Sequence, residues 1–179
     1  MTTLILSLDF ELLWGMRDGH TIADYGENIL GGRAVIPQLL NLFEKHNIHA
    51  TWATVGFMFA HDNNSLKSYF PEELPSYKNE VLSPYPVMED IASSDPAYWY
   101  APELIRQIAG TPGQEIGSHT FSHYYCREAG QTVEQFKSDM LAAKVIAEAN
   151  GYSLTSGVLP RNQCEPEYTE VLAKMGFTA

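Results

Sequence analysis

The chain has 179 residues, 45% of them hydrophobic and 18% charged, which is enough for one domain with a core and too few for two ordinary ones. Eleven basic residues against 22 acidic ones give a formal net charge of −11. Such a surface repels phosphates and argues against nucleic acid or an anionic membrane as a partner. No apolar run approaches the roughly 20 residues of a membrane span. Met1-Thr2-Thr3 leads straight into apolar residues, without the basic region and cleavage site of a signal peptide. Cys126 and Cys164 lack C-x-x-C spacing, so free thiols in a reducing cytoplasm are expected.

The apolar run Thr3–Leu8 predicts a buried strand that breaks into Asp9-Phe10-Glu11 and presents carboxylates at its C-terminal end. Residues 15–32, rich in Gly and polar groups, read as a long loop. Apolar spacing at Val35, Leu39, Leu42 and Phe43 predicts a helix over Ala34–His46, with Pro37 placed in its first turn. Ile48–Val55 predicts a second strand. Residues 61–100 carry Pro71, Pro75, Pro84, Pro86 and Pro96 and predict an irregular insertion with short helices lying over one face.

Pro102–Ala109 predicts a short helix, and Gln114–Ser118 a third strand ending directly at His119. Thr132 with Gln135 three residues on forms a capping box for a helix to Asn150, with Val133, Phe136, Met140, Ala143 and Ala147 on one face and Gly151 as its stop. Ser156–Leu159 reads as a weaker fourth strand, Pro166–Met175 as a helix, and Phe177-Thr178-Ala179 as the start of a fifth strand. Alternating strands and helices imply an α/β fold with a parallel sheet. Asp9, His119 and Arg161 all follow a strand, the edge where such folds build their active sites.

The chemistry concentrates at His119-Thr-Phe-Ser-His123. On a helical turn, i, i+4 spacing puts both imidazoles on one face, able to share one metal. A hydrolytic metal typically takes about three protein ligands and keeps a position for water. The third ligand is expected from Asp9 or Glu11, which an extended strand places on the same face. One of them would bind metal while the other takes a proton from the attacking water. Arg161 would hold a carboxylate ionised and oriented. Trp14, Trp52, Phe57 and Phe59 fit either a sugar-sized cleft or the core. His20, His46, His49 and His61 lack ligand spacing, and neither cysteine has a histidine partner in sequence.

These blocks resemble the polysaccharide deacetylases, the NodB-like carbohydrate esterases of family 4. Ser7-Leu-Asp-Phe-Glu11 is similar to the first motif, His119-Thr-Phe-Ser-His123 matches the His-[Ser/Thr]-x-x-His motif, and Leu159-Pro-Arg161 is similar to the arginine motif. Thr51-Trp-Ala-Thr-Val-Gly56 resembles the second-strand segment, so the likeness spans residues 1–179 as a single domain. It implies a distorted (β/α) barrel, a divalent ion (Zn²⁺ first, with Co²⁺, Mn²⁺ or Ni²⁺ as alternatives) and removal of acetyl groups from N- or O-acetylated sugars in polysaccharide metabolism. Asp9 aligns with the catalytic base, His119 and His123 with metal ligands, and Arg161 with the residue that orients the base. Asn162–Cys164 would bring the acetate-binding backbone amide, which makes Asn162 and Gln163, with Trp14, the expected substrate contacts.

Two departures stand out. The family's adjacent acids are here separated by Phe10, which leaves Asp9 and Glu11 to divide the roles of base and ligand. The chain also stops where a fifth strand should begin, so a barrel truncated after about five strands is expected. The later motifs, with their acetate pocket and histidine general acid, would then be missing. Exposed edges on such a barrel would favour self-association or a partner. A related C–N hydrolase of small cyclic amides and a non-catalytic metal- or sugar-binding relative are the competing readings.

Overall fold

The computed structural model describes residues 4–178. Three parallel strands form its sheet in the order β1 (Ser7–Phe10), β2 (Ala50–Thr54) and β3 (Gln114–Ser118). Asp9 sits beside Ala53 and Ala53 beside Gly117, so the C-terminal ends of the strands are level. The expected fourth strand contracts to a single parallel bridge between Ser118 and Gly157. Ser118 donates to the Ser156 carbonyl and accepts from the Val158 amide, both at 2.9 Å. Gly157 and Pro160 crowd this short run and leave it few strand-forming residues. The expected fifth strand is represented by one backbone bond, from the Thr178 amide to the Thr155 carbonyl at 2.8 Å. Ala179, and Thr3 at the start of the first predicted strand, lie outside the described residues. The described architecture is therefore α/β with a parallel sheet, and the predicted five-strand barrel is not closed within it.

The helices are α1 (Ile22–His46), α2 (Asn63–Lys67), α3 (Met88–Ala92), α4 (Pro102–Gly110), α5 (Val133–Ala149) and α6 (Pro166–Lys174). The loop predicted at 15–32 is largely helix. A 3₁₀ turn at Leu12–Gly15 is followed by α1, whose start is fixed by a capping box between Thr21 and Asp24. Pro37 consequently lies mid-helix, where it withholds the amide that would bond the Arg33 carbonyl. The buried stripe of α1 is Ile29, Ile36, Leu40 and Phe43, whereas Val35 and Leu42, predicted to face inward, are exposed. The apolar pattern is broad enough for two overlapping stripes, and packing on Trp52 selects one: its ring lies 6.4 Å from Phe43 and 6.0 Å from Phe10.

Helix α5 matches its sequence signature. Thr132 Oγ1 accepts from the Gln135 amide at 3.2 Å and Gln135 Oε1 from the Thr132 amide at 3.1 Å. Residues 61–100 hold α2, α3 and several 3₁₀ turns, and they bond to the segments that follow β1 and β3 through Trp99 to Trp14 and Tyr77 to Tyr125. Ala101 donates to the Met58 carbonyl at 3.0 Å, and the Tyr100 hydroxyl to Asn63 Oδ1 at 2.5 Å. No helix among the described residues is long and apolar enough to cross a membrane.

Candidate metal centre

Two strand ends build the centre. After β1, Glu11 leaves the extended region (φ −137°, ψ −13°) and the chain tightens into the Leu12–Gly15 turn, whose first bond runs from the Trp14 amide to the Glu11 carbonyl at 3.0 Å. The Glu11 carboxylate folds back over this turn, and a Cβ on residue 15 would overlap it, so a side chain there would have to displace the carboxylate.

After β3, the His119 amide donates to the Thr54 carbonyl at 2.9 Å. Residues 119–123 are not the helical turn expected from the i, i+4 spacing. Left-handed backbone at Thr120 (φ 65°) and His123 (φ 58°) turns the loop and brings the two rings to 5.1 Å. The strain of those positions is held by bonds from all sides. Gly56 and Phe57 amides donate to the Thr120 and Phe121 carbonyls at 2.9 and 3.0 Å. Thr120 Oγ1 accepts from the Tyr124 amide at 2.7 Å, and the Tyr77 hydroxyl accepts from the Tyr125 amide at 2.9 Å.

Glu11 Oε2 lies 3.2 Å from His119 Nε2 and 3.0 Å from His123 Nε2. Burial raises the Glu11 carboxyl, yet the two imidazoles, when their facing nitrogens carry protons, overcome it and bring the group down to about 2, so it is an anion at neutral pH. Burial holds His123 below the ordinary histidine range, with Glu11 pulling the other way. His119 Nδ1 is 2.8 Å from the Val158 carbonyl, which can only accept, so Nδ1 carries the proton. When the ring is neutral, its Nε2 presents a lone pair toward the Glu11 anion and is buried without a hydrogen-bond partner. Three ligand atoms from Glu11, His119 and His123 lie within 4.8 Å of one another. A lone pair facing a carboxylate is unfavourable until a cation stands between them, and a His₂–carboxylate set is one that zinc accepts. The residues fit a divalent metal.

The other expected site residues fall into place unevenly. Asp9 Oδ1 approaches His119 Nδ1 at 4.0 Å, and its side chain is 44% exposed, beside the centre and open to solvent. Asp9 and Glu11 both line a cleft of about 310 Å³ with Met16, Tyr25, Asn28 and Trp52. Arg161 is engaged away from the acid it was expected to orient: it donates to Asp18 Oδ2 at 2.6 Å and Glu128 Oε1 at 2.9 Å, with its guanidinium 4.3 Å from the Tyr125 ring centroid. The left-handed backbone at Arg161 (φ 57°) and Asn162 (φ 51°) aims the guanidinium toward those carboxylates.

Trp14, expected at the substrate, is a core residue instead. It is completely buried, donates from Nε1 to the Trp99 carbonyl at 2.7 Å and packs edge-on against Phe57. Asn162 borders a separate cavity of about 430 Å³ with Val158, Leu159 and Phe177. Gln163 Oε1 is buried without a hydrogen-bond partner among the described residues. Cys126 and Cys164 are unbridged, and burial pushes the Cys126 thiol up to about 12, which makes it a poor nucleophile.

Sequence reasoning missed Asp139. It is completely buried on α5, where Oδ1 accepts from the Phe121 amide at 2.7 Å and Oδ2 from the Ser122 amide at 3.2 Å and from the Ser122 hydroxyl. Burial pushes its carboxyl up to about 7 against those three donors. A signal was present: Asp139 lies three residues after Phe136 and four before Ala143, on the face read as apolar. Asp18 and Gly15 carried no comparable pattern.

The sequence pattern of the family described as polysaccharide deacetylase matches residues 22–179. No curated protein matches the chain in sequence. Among solved structures, a polysaccharide deacetylase homologue from Mycobacterium smegmatis superposes with a TM-score of 0.60 at 15% identity, over 97% of this chain and 48% of that one. The Streptococcus pyogenes deacetylase PplD, solved with acetate, gives 0.56 at 9% identity over 97% and 52%. A carbohydrate esterase family 4 pseudoenzyme from Bacillus anthracis gives 0.52 at 13% identity over 97% and 41%. The chain thus spans about half the length of these neighbours, whose likeness is one of fold. Because the match in sequence takes in most of the chain, this protein belongs to the polysaccharide deacetylase family.

Proposed function

We propose that the chain carries the metal centre of a hydrolase that removes acetyl groups from N- or O-acetylated sugars in polysaccharide metabolism, and that its sheet is part of a larger distorted barrel. The observation that carries this reading is the Glu11–His119–His123 group, with a buried, unpartnered His119 Nε2 facing an anion and Asp9 alongside. Both histidines and Glu11 would hold the ion, zinc being the first choice for this donor set. When bound, such an ion acts as a Lewis acid toward an acyl carbonyl and makes water more acidic.

Asp9 is proposed as the base. It is the carboxylate at the centre left free of both Nε2 atoms, and its exposure lets it reach a water in the cleft. It would accept the proton of the water that adds to the acyl carbon, and the C–N or C–O bond would break as the sugar nitrogen or oxygen takes a proton. Arg161 would act through the Asp18–Glu128–Tyr125 cluster, not through Asp9. Asn162 and Gln163 remain proposed contacts for the acyl group. Free Cys126 and Cys164 support a cytoplasmic setting.

The test is acetate release from N-acetylated oligosaccharides by metal-stripped protein resupplied with Zn²⁺ or Co²⁺. Metal-dependent release is expected, abolished by His119→Ala and reduced roughly 10²–10⁴-fold by Asp9→Asn. Stoichiometric metal binding with no release from any acetylated sugar would favour a non-catalytic relative. Failure to bind any divalent metal would sink the proposal.

A further inference from the structure

The two histidines are carried by a loop that should not hold its own shape. Thr120 and His123 lie in left-handed backbone, and neither is a glycine. Phe121 and Ser122, between them, point their amides into the protein interior, where an unpaired N–H is costly. Helix α5 answers with one side chain. Asp139, with no solvent exposure, takes both amides and the Ser122 hydroxyl on its two carboxylate oxygens.

A charged residue on the inner face of a helix costs several kcal/mol of desolvation unless it is well bonded. Here its neighbours along the stripe are Phe136, Met140 and Ala143, so packing alone would favour an apolar residue. The bonds it makes are all to the loop between the two metal-facing imidazoles. A single carboxylate bonded to consecutive amides fixes the orientation of the peptide plane between Phe121 and Ser122, and hence the relative direction of the two rings on either side.

We propose that Asp139 is the positioning residue of the metal centre, acting through the Phe121–Ser122 backbone to set the angle between His119 and His123. The inference rests on the metal-binding reading above. It assigns to α5, which supplies no ligand, control over how tightly and with what geometry the ion is held. Ser122 is its accessory: the hydroxyl adds a third bond and locks the carboxylate rotamer.

Co²⁺ titration of the metal-stripped chain tests this, read by the d–d absorption spectrum, whose shape reports ligand geometry. The proteins are wild type, Asp139→Asn, Ser122→Ala and Ile146→Val. Ile146→Val removes one buried methylene from the same helix without touching the loop. Asp139→Asn keeps the volume but turns one acceptor into a donor facing an N–H. It is expected to weaken Co²⁺ binding about 10–100-fold, as outer-shell partners of metal ligands do, and to change the spectrum. Ser122→Ala should weaken it several-fold. Ile146→Val should lower thermal stability with affinity and spectrum unchanged.

Wild-type affinity and spectrum in Asp139→Asn would overturn the positioning role while leaving the metal reading intact. Equal losses in Ile146→Val would also overturn it, as a mere effect of helix stability. If Asp139→Asn does not fold, Ser122→Ala decides, and an unaltered titration there counts against the proposal. A wild-type chain that binds no Co²⁺ removes the metal reading and this inference together.

Discussion

Gly15 decides where the Glu11 carboxylate can lie. It closes the 3₁₀ turn that follows β1, and the carboxyl group of Glu11 occupies the space a side chain at 15 would fill. Alanine is the better residue for a helical turn by about 0.5–1 kcal/mol, so Gly15→Ala should not unfold the protein on propensity grounds. It should instead push Glu11 away from the two imidazoles. The expected outcome is a loss of divalent-metal affinity of at least about tenfold, comparable to disturbing an outer-shell partner. Gly19→Ala is the control, since a Cβ there meets nothing within 4 Å. Isothermal titration of both with Zn²⁺ separates them, and equal affinities would show that Glu11 does not need the space. The same residue illustrates why part of the site was hidden in the sequence. A glycine in a polar run reads as loop, and only the folded-back carboxylate shows what its missing side chain makes possible.

Among the elements, α5 was the most legible and α1 the least. The α5 start rests on a reciprocal pair of bonds between Thr132 and Gln135, a local device readable from four residues. Thr132→Ala should therefore cost about 1 kcal/mol and lower the unfolding midpoint by about 2–4 °C for a chain of this size, measured by thermal denaturation. Metal affinity should be unchanged, because Asp139 lies well inside the helix and fraying of its first turn does not reach it. For α1 the sequence signals pointed elsewhere. Gly26, Gly31 and Gly32 within a polar stretch imitate a loop, and Pro37 imitates a first turn. The helix forms anyway because Ile29, Ile36, Leu40 and Phe43 bury a stripe against the sheet, a tertiary gain that outweighs local propensity. The strand ends were legible for the same reason α5 was: an apolar run breaking into Asp9-Phe10-Glu11 or Ser118-His119 is local information. The path from His119 to His123 was not, since its turn depends on amides from Gly56 and Phe57 and on an acid from α5. The partners of Arg161 were not legible, because Asp18 and Glu128 come from two distant segments with no motif of their own.

At the scale of the molecule, charge and burial combine into a pH dependence of stability. Twenty-two acidic residues against 11 basic ones give a sequence isoelectric point near 4.8, so self-repulsion grows as the pH rises above that point. Asp139 acts in the same direction. Its carboxyl is raised in the folded protein from an ordinary 3.8 to about 7, so the folded state binds a proton that the unfolded state has already released. Stability contributed by this group is fully present below about pH 4 and is lost as the pH rises through about 7. Expressed in full, the shift corresponds to on the order of 4 kcal/mol, a large share of the roughly 5–15 kcal/mol that holds a domain together. His123, held below the ordinary histidine range by burial, acts the other way, since at pH 5 the unfolded chain binds a proton that folded His123 does not. Asp139 carries the larger shift, so the metal-free chain should be more stable to urea at pH 5 than at pH 7.5. Asp139→Asn removes the titrating group while keeping its volume. Its urea midpoint should be lower than wild type at pH 5 and should change less between pH 5 and 7.5, with the general charge repulsion left as the common background. Parallel curves for the two proteins would assign the whole dependence to surface charge and none to Asp139. Loaded with metal, the wild-type chain should recover stability at pH 7.5. A ligand that binds only the folded state adds about 2.7 kcal/mol at a hundredfold excess over its dissociation constant, and here it ties the end of β1 to the end of β3.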